Sequence, residues 1–254
     1  MPKPLPLFFI LIVGFISCKK GDDCSNETIK CETQLLYKIL DSTLSSSREN
    51  RILFYYNNSN LMDSMIFQDQ QTSGNTSPSW SYARFWNHYN SSNQATSVTR
   101  KSPTFPETNY CDITYNNNGT INSATSYGFT YKFTYDVSGK LVCDSQYNSF
   151  GMWDLVYSYE YDTRGNVIRM ITKSRISNSI HISNYTYDSA INPLYNKISL
   201  SLPVPSPSYL SRNNETSLDT YSTTYTYNKC NLPVKARIFI AGILEPLVRT
   251  YVYY

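Results

Sequence analysis

The sequence predicts an all-β protein, an antiparallel meander of repeated β-hairpins curled into one sheet. Three observations carry this reading. Tyrosine dominates the aromatics, with 24 Tyr against 11 Phe and 3 Trp in 254 residues. Aromatic and β-branched residues suit a half-buried pleated surface, while the abundant Asn and Ser supply turns. Side chains alternate, as in "FTYKFTYDVSGK" (129–140), where Phe129, Tyr131, Phe133 and Tyr135 share one strand face and Thr130, Lys132 and Thr134 the other. A short unit also recurs: Tyr, then Asp or Asn, two variable residues, then Gly or Asn.

The chain opens with an address. Residues Leu5 to Ile16 form an apolar stretch of 12 residues behind Lys3. A bilayer span takes about 20 residues, so this stretch suits the apolar region of a signal peptide, predicted over residues 1–17. It ends in Phe15-Ile16-Ser17-Cys18 and turns polar at once in Lys19-Lys20-Gly21-Asp22-Asp23. Residues 18–34 read as a tether and residues 35–254 as one repeat-built β domain.

"LLYKILDSTL" and "ENRILFYY" read as the opening pair of strands. Asp69 to Pro78 is polar and reads as a long loop. The repeat then sets the frame, with tyrosines at 56, 89, 115, 135, 161, 187 and 227 and spacings of 20 to 40 residues. Typical copies are Tyr135-Asp-Val-Ser-Gly139 and Tyr161-Asp-Thr-Arg-Gly165. An apolar residue often follows six positions after the tyrosine: Met62, Ala95, Ile121, Leu141 or Val167. Asp or Asn at the first turn position can bond the backbone ahead, and Gly or Asn three residues later accepts positive φ. That chemistry joins two antiparallel strands. "LPVPSP" (202–207) interrupts the pattern with prolines that cannot complete a ladder, and Tyr251 to Tyr254 closes the chain as a strand.

These residues resemble known groups in two ways. Ser17-Cys18 after the apolar stretch resembles a bacterial lipobox, although Phe15 stands where Leu is usual. The resemblance implies cleavage before Cys18, lipidation of Cys18, and an anchor holding the protein to a membrane. The Lys-Lys-Gly-Asp-Asp run resembles the export tether of Bacteroidota lipoproteins, which implies an outer-membrane lipoprotein facing the cell surface, with the periplasmic leaflet second. The Tyr-Asp-x-x-Gly unit resembles the YD repeat of RHS-type proteins, and residues 35 to 254 resemble YD-repeat-like lipoproteins of Bacteroidota. Tyr187-Asp-Ser-Ala-Ile-Asn-Pro193-Leu and Ser211-Arg-Asn-Asn214 fit the same group. It implies a curled YD/RHS-like sheet and no particular activity.

Chemistry is sparse. Lys and Arg are scattered around a net charge of +3, with no run that would track phosphates, so nucleic acid is not expected as a partner. Two histidines, His88 and His181, sit in no catalytic motif, and no zinc spacing occurs, so no metal, cofactor or catalytic residue is assigned. Glu160 and Asp162 read as an outward strand residue and a turn former. Cys24 and Cys31 are close enough to pair, while Cys111, Cys143 and Cys230 fit strand or turn positions as small hydrophobes. Asp41-Ser42-Thr43, Asp63-Ser64-Met65 and Asp188-Ser189-Ala190 resemble O-glycosylation sites of exported Bacteroidota proteins. The densest aromatics, Trp80, Tyr82, Phe85, Trp86 and Tyr89 with Trp153, form the candidate ligand platform: Trp80, Tyr82, Trp86, Tyr89 and Trp153 would stack a glycan or meet a protein partner. The competing reading places the repeat aromatics in a shared core. The expected role is binding or structural rather than enzymatic, with glycan capture as the alternative and a secreted hydrolase third.

Overall fold

The computed structural model describes residues 35–43, 49–71, 79–195, 205–243 and 246–254. The signal peptide, Cys18, the tether, Cys24 and Cys31 lie outside the described residues. The strands are β1 Leu36–Thr43, β2 Glu49–Tyr56, β3 Met62–Gln71, β4 Ser79–Tyr89, β5 Ala95–Ser102, β6 Phe105–Tyr115, β7 Ile121–Ser126 and β8 Phe129–Tyr135. They continue as β9 Leu141–Tyr147, β10 Trp153–Tyr161, β11 Val167–Ser174, β12 Ser179–Ile191, β13 Asn213–Leu218, β14 Tyr221–Tyr227, β15 Pro233–Ile240 and β16 Leu247–Tyr253. One short helix, α1 Pro207–Leu210, precedes β13. The opening pair of strands falls where the sequence placed it. Residues 69 to 71, read as loop, extend β3 instead.

Each strand pairs antiparallel with its chain neighbour, and β1 pairs with β16 to close the ring. The expected open, curled YD/RHS-like sheet is therefore corrected to a closed barrel. The reason is edge chemistry: an open sheet leaves two rows of unpaired N–H and C=O groups, and closure removes both. The final strand, Tyr251 included, supplies the partner that β1 needs, with Ile39 opposite Tyr251 and Asp41 opposite Arg249.

The repeat unit builds one rim of this barrel. In the β8–β9 turn the Asp136 carboxylate accepts the N–H groups of Ser138 (2.8 Å) and Lys140 (2.9 Å), and Gly139 takes φ +81°. Asn57 and Asn228 do the same in their turns, with Asn60 and Asn231 at φ +58° and +57°. The repeat tyrosine then reaches the adjacent strand. Its hydroxyl donates to the carbonyl of the apolar residue six positions after the preceding repeat tyrosine: Tyr89 to Met62, Tyr115 to Ala95, Tyr161 to Leu141 and Tyr187 to Val167, at 2.7 to 2.9 Å. Tyr56 to Leu36 and Tyr253 to Pro233 extend the same rule around the seam. These carbonyls lie two residues beyond the last paired residue of their ladders, as Leu141 lies beyond Cys143. The tyrosine thus satisfies a ladder end that would otherwise be buried without a partner. Replacing Tyr161 with Phe leaves the Leu141 carbonyl unpaired and is expected to cost about 1–2 kcal/mol in chemical denaturation. The same change at the 65 % exposed Tyr127 should cost much less.

Alternation then decides what each side of the wall carries. On β8, Phe129, Tyr131, Phe133 and Tyr135 face the lumen, while Lys132 and Thr134 are exposed outside. On β14, Tyr221, Thr223, Tyr225 and Tyr227 alternate with exposed Ser222, Thr224 and Thr226. Membrane-spanning barrels carry the opposite arrangement, an apolar band outside and a polar lumen. Along these strands the wall is polar where lipid would touch it. It is apolar where water would fill a pore.

Sixteen strands enclose more space than wall side chains alone fill, in contrast to an eight-stranded barrel. The chain fills part of it with its own irregular segment. Leu194 packs with Leu36, Ile39, Phe54 and Met65 on one side of the ring. Leu210 packs with Leu141, Tyr159 and Val167 on another. Tyr159 donates its hydroxyl to the Pro205 carbonyl at 3.2 Å, and the Val167 N–H bonds the Ser211 hydroxyl at 3.0 Å. The interruption at Leu202–Pro207 is therefore, from Pro205 on, an internal plug.

Candidate functional site

The plug rests on a polar seam that joins the two stretches outside the regular repeat. Asp188 accepts the Asn214 N–H at 3.1 Å, and Asn213 Nδ2 donates to the Ala190 carbonyl at 2.9 Å. Asn192 Nδ2 donates to the carbonyls of Ser208 (2.6 Å) and Ser211 (2.8 Å). Tyr227, unlike the other repeat tyrosines, sends its hydroxyl to Asp188. Asn166, wholly buried, bonds Asn213 from the neighbouring turn. Tyr187–Leu194 and Ser211–Asn214 are thus two halves of one clamp.

Three of the cavities bounded by described residues lie around the plug. One, about 600 Å³, lies at the rim of the repeat turns. Its wall is built from Ile113, Tyr115, Phe133, Tyr135, Leu141 and Tyr161, with Tyr195, Tyr209 and Leu210 from the plug side. The hydroxyls of Tyr115 and Tyr161 are held by backbone carbonyls, and that of Tyr135 bonds the backbone of Ile121. Burial raises all three tyrosine pKa values, Tyr135 to about 12, so these groups stay neutral. The wall therefore offers ring faces and aliphatic carbons rather than hydrogen bonds. Its volume falls within the roughly 300–1,000 Å³ of small-molecule sites.

The other two cavities lie beyond Pro205. One, about 570 Å³, is lined by Tyr110, Tyr127, Tyr131, Tyr157 and Pro207. The third, about 390 Å³, is more polar and holds Glu215, Arg249, Ser208, Thr223 and Tyr225. Burial pushes the Glu215 carboxyl up to about 7, against the opposing effects of the Ser208 hydroxyl and Arg249. Arg249 itself is held by Asp41 through two bonds of 2.7 Å.

The predicted platform residues do not converge. Tyr82 and Trp86 alternate onto the outer face of β4, and Arg84 lies between them in sequence with its guanidinium 4.8 Å from the Trp86 ring centre and 5.5 Å from Tyr55. Tyr89 faces inward as part of the rim ladder, and Phe85 is buried in the core. Trp153 is on β10, six strands away along the ring. Trp80 pairs with Gln70 in the β3–β4 register, and its side chain lies outside the described residues. What sequence reasoning missed is the rim cavity. Its signal was present, because its wall is the repeat tyrosines and their apolar partners.

Catalytic convergence is not seen among the described residues. His88 bonds Thr99 on the exterior, and His181 is exposed, 3.9 Å from Asp219. Among the described residues no group of three His, Cys, Asp or Glu is placed to hold a metal ion. Cys111 and Cys143 are free thiols and Cys230 is disulfide-bonded. Of the three Asp-Ser stretches, Ser64 is fully buried and Ser189 is exposed, so only the latter of these two offers its hydroxyl to a modifying enzyme.

No protein-family model and no curated protein matches this sequence. Among solved structures, a porin-like protein from Bacteroides uniformis is similar, with 15% identity and a TM-score of 0.60, over 86% of this chain and 98% of that one. A porin-like protein from Bacteroides vulgatus aligns over 87% of this chain and 99% of its own, at 12% identity and a TM-score of 0.37. The Photorhabdus luminescens Tc holotoxin pore aligns over 81% of this chain but only 11% of its own, at 15% identity and a TM-score of 0.33. At these identities the first likeness is one of fold, and the other two are too distant to bear on it.

Proposed function

We propose that this chain is a non-catalytic binding protein of the cell envelope, held to a membrane by lipid on Cys18, with the rim cavity as its ligand site. The observation that carries the reading is the polarity of the outer face along β8 and β14. A barrel with exposed Thr and Lys outside and tyrosine faces inside is built to enclose something apolar rather than to sit in lipid. The lipobox-like Ser17-Cys18 then supplies the membrane contact that the wall does not. A similar barrel architecture in a Bacteroides porin-like protein supports an envelope setting. The Lys-Lys-Gly-Asp-Asp run favours the outer membrane and surface display.

The test uses the full chain carrying Cys18→Ala, so that no acyl group accompanies the protein. N-phenyl-1-naphthylamine, a neutral apolar fluorophore, should bind saturably. Ile113→Trp, which fills the rim cavity, should reduce its affinity at least about tenfold with an unchanged unfolding midpoint. No saturable fluorescence in the parent chain would remove the cavity from consideration. For the anchor, labelled palmitate should enter the native protein and not the Cys18→Ala chain. Protease treatment of intact cells should cleave it, whereas protection until lysis would assign the periplasmic leaflet.

Glycan capture on the outer face is the second reading, favoured by Tyr82, which is 41 % exposed on the same face as Trp86. Arg84 already stands against the Trp86 and Tyr55 rings, so a sugar would have to displace it. A glycan array on the same chain decides it, and silence across all polysaccharides would end this reading.

A further inference from the structure

The rim cavity has an apolar body and a cationic mouth. Among the described residues its lining contains two charged ones, Lys140 and Arg212, and no carboxylate. Both are exposed and both meet the β10–β11 turn. Lys140 Nζ lies 5.4 Å from the ring centre of Tyr161, and Arg212 packs against Gly165, where a Cβ would stand 3.4 Å from its Nε. The Arg212 guanidinium also lies 5.8 Å from the Tyr195 ring. Ring faces hold these cations at the opening without neutralising them. Asp136 interacts electrostatically with Lys140, and its Oδ1 already accepts the N–H groups of Ser138 and Lys140 and the Ser138 hydroxyl. Deeper in, the hydroxyls of Tyr115, Tyr135 and Tyr161 are committed to backbone. A ligand with polar groups along its length would lose its hydrogen bonds to water and find few replacements.

We infer that the ligand is an anionic amphiphile: an acyl chain lying in the rim cavity, with a carboxylate or phosphate between Lys140 and Arg212. This rests on the cavity being the ligand site, as proposed above, and adds the chemistry of what it takes. Gly165 itself answers to the turn, where its φ of +91° favours glycine, and Arg212 lies in ordinary contact with it.

The experiment displaces N-phenyl-1-naphthylamine from the Cys18→Ala chain with dodecanoate, dodecyl phosphate and dodecanol, which share one chain and differ in the head. Dodecanoate and dodecyl phosphate should compete at about tenfold lower concentration than dodecanol. In Lys140→Ala/Arg212→Ala that ratio should fall to about one, with dodecanol unchanged. Both substitutions are at exposed rim positions, and an unchanged unfolding midpoint confirms the fold. Equal competition by all three compounds in the parent chain, or a ratio that survives the double substitution, overturns the inference while leaving the cavity a neutral apolar site. Failure of the fluorophore itself to bind strikes the cavity reading instead. A further arm offers labelled phosphatidylglycerol in vesicles. Transfer of the label to the protein assigns the bilayer as the source of the anionic chain, and binding of dodecanoate alone assigns free acid.

Discussion

Asp144→Asn should stabilise the protein at pH 8 by about 2–3 kcal/mol and have almost no effect at pH 5. Asp144 is on β9, facing the lumen between Phe133 and Tyr157, and is 1 % exposed. One carboxylate oxygen shares the Tyr159 hydroxyl proton with the Pro205 carbonyl, each at 3.2 Å, and the other has no hydrogen-bond partner among the described residues. Burial therefore pushes its carboxyl up to about 7, with the Tyr159 bond pulling weakly the other way. The folded protein keeps this proton to about pH 7, whereas the unfolded chain releases it near 3.9. Between those values the folded state binds more protons, so stability falls as pH rises. Below about pH 4 the penalty is absent, and above about pH 7 it is complete, at most about 4 kcal/mol for a shift of about three units. Asn keeps the acceptor for Tyr159 and never ionises, but it brings an amide N–H₂ that needs a partner, so part of the gain is lost. Urea midpoints at the two pH values measure this. An equal change at both would show that Asp144 is not ionising inside the barrel. Glu215, raised for the same reason, adds a smaller slope of the same sign.

Breaking the seam should cost about as much in the opposite direction. Arg249→Met is expected to destabilise the protein by about 3 kcal/mol, because it removes two charge-assisted bonds and leaves Asp41 half-buried without them. These residues are 208 positions apart and face each other across β1 and β16. Their bond pins the strand pair that closes the ring. The control is Arg169→Met, which breaks an exposed pair with Glu160 and should cost under about 1 kcal/mol. Hydrogen exchange should localise the Arg249→Met effect to amides of β1 and β16. If the two variants lose equal stability, or exchange rises uniformly around the ring, the pair has no special part in closure.

The turn of the repeat was legible because it is built from short-range contacts. Tyr135-Asp-Val-Ser-Gly139 encodes its turn through one carboxylate and one left-handed glycine, and neither needs the rest of the protein. The even beat of Tyr131, Phe133 and Tyr135 likewise announces a strand with unlike faces. The platform reading failed to gather its residues for the same reason. Trp86 and Tyr89 are three apart, so period two sends them to opposite sides of β4 whatever surrounds them. The rim cavity could not be placed, because its wall draws on β6, β8, β9 and β10 together with a plug that enters from residue 205 onward.

By itself, then, the chain's order of residues determined the hairpins and their turns, since these act within one turn or between adjacent strands. It also determined that strands such as β8 and β14 would carry one aromatic and one polar face. An aromatic face suits the outside of a membrane barrel or the inside of a water-exposed one equally well, and no local rule chooses. Closure of β1 on β16 chose, by making the aromatic face of β8 and β14 concave and turning Lys132, Thr134, Ser222, Thr224 and Thr226 outward. Only then did residues 192–195 and 205–212 acquire a place. A ring of sixteen strands leaves a lumen that wall side chains do not fill, and the cheapest apolar filling within reach was the chain itself.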